Sequence, residues 1–108
     1  MQAPLGEFEV VVLMAVLQEP AGANGSAVRQ KIEQRIGRSV SRGSVYVTLD
    51  RLEEKGLLLS IVEDAPNVRG GTKRLFRATP AGLKAVKNSV ATMARMRIGL
   101  ESVLGNLK

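Results

Sequence analysis

Two helical stripes lie unusually close together in this chain, and their closeness limits what it can fold into. Val28, Ile32 and Ile36 recur at intervals of four, Val45, Leu49 and Leu52 at four and three, and only residues 37–40 separate the two sets. That spacing puts each set on one face of a helix. Gly37 is a natural stop for the first helix and Ser41 a natural N-cap for the second. A helix, a short glycine-containing turn and a second helix make a helix-turn-helix, a motif whose second helix often enters the DNA major groove.

The flanking segments complete a small architecture. Residues 5–19 carry apolar side chains at 5, 8, 12 and 16, and Val11, Leu13, Met14 and Leu17 fill the other faces. The run VVVLMAVL could also be a buried strand. Its length, the Pro20 and Gly22 breakers behind it and the lack of a comparable partner strand favour a helix. Residues 57–63 and 73–79 read as two strands joined by the loop DAPNVRGGT, which makes a long-tipped hairpin. Thr79 caps a last helix with Pro80 at its first position. Apolar residues at 83, 86, 90, 93, 100, 104 and 107 carry that helix towards the end of the chain. Their alternation of three and four resembles a coiled-coil seam, interrupted by Arg97 and weakened by Gly99. The fold class expected is mainly α with a small β-hairpin: a winged helix-turn-helix over residues 1–79 and a long C-terminal dimerisation helix over 80–108, forming one structural unit.

Composition narrows the chemistry. With 108 residues, 44% of them hydrophobic, the chain can build one core and not two. Sixteen Lys and Arg against ten Asp and Glu give a net charge of +6, which favours polyanionic partners. Neither Cys nor His is present, so disulfides, Cys or His metal sites, thiol nucleophiles and imidazole bases are excluded. No enzymatic activity and no cofactor is expected. The longest apolar run is too short to span a bilayer, and Glu7 and Glu9 stand where a signal peptide would carry basic residues, so a cytoplasmic protein with no membrane partner is expected.

The leading end of the third helix is where recognition chemistry concentrates. Setting Val45, Leu49 and Leu52 inward turns Gly43, Val47, Asp50 and Glu54 outward, with Ser44 and Arg51 on one flank and Tyr46 on the other. A helix that only packs needs one cap, whereas this one begins with Ser41, Arg42, Gly43, Ser44 and Tyr46. The free amides of a helix N-terminus suit phosphate, hydroxyls can donate to phosphate or base edges, and a guanidinium can reach guanine. Arg42 is the leading base reader, and Gly43 keeps the surface low. In the hairpin, Arg69, Lys73 and Arg74, with Arg77 further back, lie on or beside a glycine-rich tip suited to phosphate contact. The plainer alternative is that Ser41 only caps, Tyr46 packs and the basic residues are solvated. Asp50, Glu53 and Glu54 read as helix-surface charges, and the GGTK run lacks the order and setting of a phosphate-binding loop.

The wording of three segments carries a resemblance. LGEFEVVVLMAVL, VSRGSVYVTLDRLEEKGLL and RGGTKRLFRATPAGL together resemble the PadR-like family of bacterial transcriptional regulators. The resemblance implies dimeric repressors in which the first and last helices build the dimer and the third helix and wing meet DNA. It departs from the family pattern at residues 24–26, where Asn24, Gly25 and Ser26 replace a His-Gly-Tyr run. Leu75 and Phe76 replace paired tyrosines, and Val47 stands where a proline is common. Some relatives bind flat drugs between aromatic side chains, but one Tyr, two Phe and no Trp do not furnish such a pocket. A small-molecule effector stays an open partner.

The function expected is sequence-specific binding of double-stranded DNA at a pseudo-palindromic operator by a homodimer acting as a repressor. A first helix that is apolar on all sides and a seamed last helix leave more apolar surface than one small monomer can hide. Leu5, Phe8, Val12, Leu83, Val86, Val90, Met93, Leu100 and Leu104 are the expected dimerisation residues. The expected DNA-facing set is Ser41, Arg42, Gly43, Ser44, Tyr46, Val47 and Arg51 in the helix, with Arg69, Lys73 and Arg74 in the wing. Two other classes remain open, a protein-interaction winged helix and an RNA-binding module, although exposed aromatics for stacking unpaired bases are lacking.

Overall fold

The computed structural model describes residues 4–105. In chain order it contains α1 (Glu7–Leu17), α2 (Gly25–Ile36), α3 (Arg42–Glu54), β1 (Leu58–Asp64), β2 (Thr72–Ala78), α4 (Pro80–Arg97) and α5 (Glu101–Leu104). The architecture is mainly helical with one antiparallel hairpin, in which Leu58 faces Ala78, Ser60 faces Phe76 and Asp64 faces Thr72.

Helices α2, α3 and α4 each begin where an N-cap side chain satisfies an orphan amide. Asn24 accepts from the Ala27 N–H at 2.8 Å, Ser41 from Ser44 at 3.0 Å and Thr79 from Gly82 at 3.0 Å. Gly37 ends α2 at φ +80°, a left-handed conformation that glycine adopts without strain. The turn between α2 and α3 is held by side chains as well as by its length. Arg29 Nε donates to the Val40 carbonyl at 2.9 Å and Glu33 accepts from the Val40 amide at 3.2 Å, so a pair that resembles surface decoration sets the angle between the two helices.

The core collects Val12, Leu13 and Val16 from α1, Val28 and Ile32 from α2, Val45, Leu49 and Leu52 from α3, Leu57 and Leu58, Phe76 from β2 and Val86 from α4. The expectation that Val12 and Val86 serve dimerisation is therefore corrected, since both are buried inside one chain at 0% and 7% exposure. Phe8 likewise packs against this core. The reason is helical phase: the series 8, 12 and 16 is the inward stripe of α1, Val10 and Met14 occupy its opposite side, and Val11 on the flank touches both the core and the groove.

Two close approaches lie beyond what periodicity could predict. Ala23 and Phe76 exchange backbone hydrogen bonds at 3.0 and 2.8 Å, so the loop before α2 pairs with β2. At the foot of α4, a Cβ on Gly82 would stand 2.1 Å from the Leu57 carbonyl oxygen, which itself accepts the Thr79 N–H at 3.1 Å. Backbone packs on backbone there and cannot yield. Gly82→Ala is therefore expected to destabilise the fold by about 1–3 kcal/mol, measured as a lowered denaturant midpoint at unchanged slope.

The last helix is shorter than its seam suggests. It ends at Arg97, Ile98 leaves helical geometry and Gly99 turns at φ +87°, after which α5 adds about one turn. The expected continuous helix towards residue 107 is thus broken at the glycine, and Leu107 lies outside the described residues. Among the described residues, no helix is long and apolar enough to cross a membrane.

Candidate nucleic-acid interface

Four exposed residues, Ser41, Arg42, Gly43 and Ser44, form the head of α3 on the apolar body of Val45, Leu49 and Leu52. The two hydroxyls are coupled. Ser41 Oγ donates to Ser44 Oγ at 2.6 Å while accepting the Ser44 amide, so the pair does not use the Ser44 hydroxyl proton. One turn on, buried Thr48 returns its hydroxyl to the Ser44 carbonyl at 2.7 Å and stiffens the head from beneath. Gly43 faces open space, and Val47 is 55% exposed beside it. Arg51 is exposed further along the helix.

Tyr46 is half-buried and has a structural partner that its spacing did not reveal. Its ring lies so close over Gly25, at the start of α2, that a Cβ there would stand 2.3 Å from Cζ. The guanidinium of Arg42 sits 5.9 Å from the ring centroid, within reach of a cation–π contact. A chain of fit runs from Gly25 through Tyr46 to Arg42, and Gly25, the one position of residues 24–26 that keeps the glycine of the family run, is the small residue that it needs.

A cleft of about 280 Å³ opens beside this head, lined by Phe8, Arg38, Ser39, Val40, Ser41 and Ser44. Arg38 and Ser39, in the turn, thus join the polar head although no helical pattern includes them. Phe8, expected at a dimer contact, lines this cleft instead.

The hairpin tip is built from three backbone hydrogen bonds, Ala65 to Gly71, Val68 to Ala65 and Gly71 to Val68, with Gly70 and Gly71 at positive φ. Arg69 is exposed on it, and Lys73 stands on β2 opposite Glu63. Arg74 departs from the expected arrangement. It turns towards α3, where Nη1 donates to Asp50 at 2.8 Å and Nη2 to Glu53, while Nε donates to Ser60 Oγ at 3.1 Å. Its guanidinium also lies 4.5 Å from the Phe76 ring centroid. Arg77 is held as well, donating Nε and Nη2 to the Ala21 carbonyl at 3.3 and 3.1 Å. The basic residues left at the outer hairpin are Arg69 and Lys73.

Charge is balanced at two other points of α3. The Glu53 carboxyl is held below the ordinary carboxylate range, chiefly by the Ser60 hydroxyl and then by Arg74, against the opposing effect of partial burial. Two residues on, at the C-cap, Lys55 donates to Glu9 of α1 at 2.7 Å. Burial pushes the Glu9 carboxyl up, but the Lys55 hydrogen bond and the Gly6 amide outweigh it and leave it lowered. The C-terminal end of α3 is thereby fixed to the hairpin and to α1. Among the described residues no cluster of acidic side chains is placed to hold a metal ion.

A separate apolar groove of about 990 Å³ runs between α1 and α4. Leu5, Val10, Val11 and Met14 form one wall, and Val90, Met93, Met96, Leu100 and Leu104 the other. Val90, Met93 and Met96 are 48%, 71% and 70% exposed. Of the expected dimerisation residues, Leu5, Val90, Met93, Leu100 and Leu104 line the groove, while Leu83 is exposed outside it. Met96 and Arg97 both line it, so the seam carries a thioether and a charge side by side.

Comparison with known proteins places this geometry. The model of the transcriptional regulator PadR-like family matches residues 12–88. Transcriptional regulator Rv3488 of Mycobacterium tuberculosis is 38% identical over 82 residues, 73% of either chain. An uncharacterized 37.1 kDa protein in transposon TN4556 of Streptomyces fradiae is 34% identical over 90 residues, 83% of this chain but only 24% of that longer protein. A crystal structure of a PadR family transcription regulator from Clostridium difficile superposes with a TM-score of 0.74 at 18% identity, covering 93% of this chain and 100% of the other. That likeness speaks for the fold alone. The family match across most of the sequence and the identity to Rv3488 speak for more: the chain belongs to the PadR-like family, whose members are regulators of transcription and not enzymes.

Proposed function

We propose that this chain is a homodimeric repressor that reads a pseudo-palindromic operator in double-stranded DNA in the cytoplasm. The observation that carries the reading is the head of α3, where exposed Ser41, Arg42, Gly43 and Ser44 are mounted on a fully buried apolar stripe. A rigidly mounted polar head is what a recognition helix needs to enter a major groove at a set angle. Arg42, oriented by Tyr46, reads a base edge. Ser41, Ser44, Val47 and Arg51 contribute contacts to backbone or thymine methyl groups, and Arg69 and Lys73 bind phosphate.

The second copy of the chain covers the groove between α1 and α4. Methionine and branched aliphatic side chains exposed along one continuous face favour a protein partner over solvent, and the two-fold axis of a dimer would set two recognition helices against one face of the duplex. The arm of residues 80–108 supplies that interface and folds as one unit with the reading domain over 1–79. Repression follows from occupancy, since a dimer seated on its operator blocks access to the duplex beneath it.

The test compares binding to duplex DNA and to single-stranded RNA at matched salt, with a wing variant alongside. Replacing Arg69 and Lys73 with Ala should weaken binding to operator and random duplex alike and lower the salt slope by about one unit per lost phosphate contact. Preference for single-stranded RNA, or a slope that does not move, contradicts the reading.

A further inference from the structure

We propose that Arg74 is a positioning residue whose task is to shield the Asp50 and Glu53 carboxylates of the reading helix from DNA, so that its contribution to duplex affinity exists only while those two carboxylates are present. The inference rests on the DNA-reading role of α3.

Three observations carry it. First, every donor-bearing nitrogen of the guanidinium is engaged within the chain: Nε with Ser60, Nη1 with Asp50, Nη2 with Glu53. Second, Ser60 closes the ring by donating to the other oxygen of Glu53 at 2.6 Å, so β1, β2 and α3 meet at one polar cluster. Third, Asp50 lies on the outward side of α3 and its side chain is 54% exposed, one turn beyond Val47 on the face that begins with Gly43. A carboxylate there repels phosphates within a Debye length of about 8–10 Å. With Arg74 in place the cluster carries one net negative charge, from two carboxylates and one guanidinium. Without it the cluster carries two.

The cluster adds little to stability, because ion pairs this exposed are screened by solvent. Its effect falls on the field that DNA meets and on the angle between hairpin and helix. The hairpin's Arg74 is thus distinct from Arg69 and Lys73, which share its charge but not its partners.

The experiment measures the affinity of the full chain for a fluorescein-labelled duplex of random sequence, in four forms: wild type, Arg74→Met, Asp50→Asn with Glu53→Gln, and all three changes together. Methionine keeps the aliphatic stem over Phe76. The expected result is a loss of roughly tenfold for Arg74→Met in the native background, and less than about twofold once both carboxylates are neutral. The neutralised pair alone should bind at least as tightly as wild type. Equal losses in both backgrounds, with the salt slope lowered by about one, would make Arg74 a phosphate ligand and overturn the proposal. No loss in either background overturns it too. If Arg74→Met does not fold, Arg74→Lys, which can hold one carboxylate and not both, replaces it, with a smaller loss that must again vanish in the neutralised background. A wild type that fails to bind duplex overturns the reading of α3 at the first arm, before any variant is compared.

Discussion

Gly43→Leu is expected to abolish operator binding while leaving the fold and the dimer intact. A Cβ at this position meets nothing within 4 Å, so the new side chain strains no neighbour. Replacing glycine inside α3 even favours the helix, by up to about 1 kcal/mol. The isobutyl group would project from the head between Arg42 and Ser44 and hold the backbone off the groove floor, where binding requires close approach. Circular dichroism and sedimentation should match wild type, and anisotropy titration with operator should show no saturable binding. A folded Gly43→Leu that binds like wild type would mean the head of α3 does not face DNA.

Much of this interface was legible because it follows from helical phase. The caps Ser41 and Thr79, the stop at Gly37, the buried stripe of α3 and its outward Gly43, Val47, Asp50 and Glu54 all follow from the 3.6-residue repeat and from capping chemistry. What periodicity could not give was which partner each charged side chain finds. Arg74 and Arg69 look alike in sequence, yet one is bound to Asp50 and Glu53, 24 and 21 residues away, and the other stands on an exposed tip. Arg77 goes to a carbonyl 56 residues distant. Such pairings depend on how three elements meet.

Apolar faces show the same division. An α1 that is hydrophobic all round was visible as a helix needing two surfaces, but which stripe faces which surface depends on the packing angle. Val12 and Phe8 turn inward, and Val10, Val11 and Met14 take the groove. Likewise Gly25 and Gly82 carry no periodic signal, and their necessity emerges only from the Tyr46 ring and the Leu57 carbonyl that press against them. Gly99, by contrast, was readable as a weak point in the last helix, and the chain does break there.

The second large effect concerns the groove. Met93→Asp should convert the protein to a folded monomer, because Met93 is 71% exposed and contributes little to the core of its own chain. In a dimer it would lie in the apolar seam, where two unpaired carboxylates related by the two-fold axis cannot be buried. Association should weaken at least roughly a hundredfold, read by sedimentation equilibrium. Operator affinity should fall with it, since each half-site then binds alone and the advantage of linkage is lost. Thermal unfolding at low concentration should change little. An unaltered dimer in Met93→Asp would place the partner elsewhere on the molecule.

Footprinting on the duplex upstream of the chain's own coding sequence tests the central claim most directly. Two protected half-sites related by two-fold symmetry, with centres about 10 base pairs or a multiple apart, are the expected result, and Gly43→Leu should erase both. A wild-type protein that retards this duplex no better than random DNA and leaves no bounded protection would contradict the account.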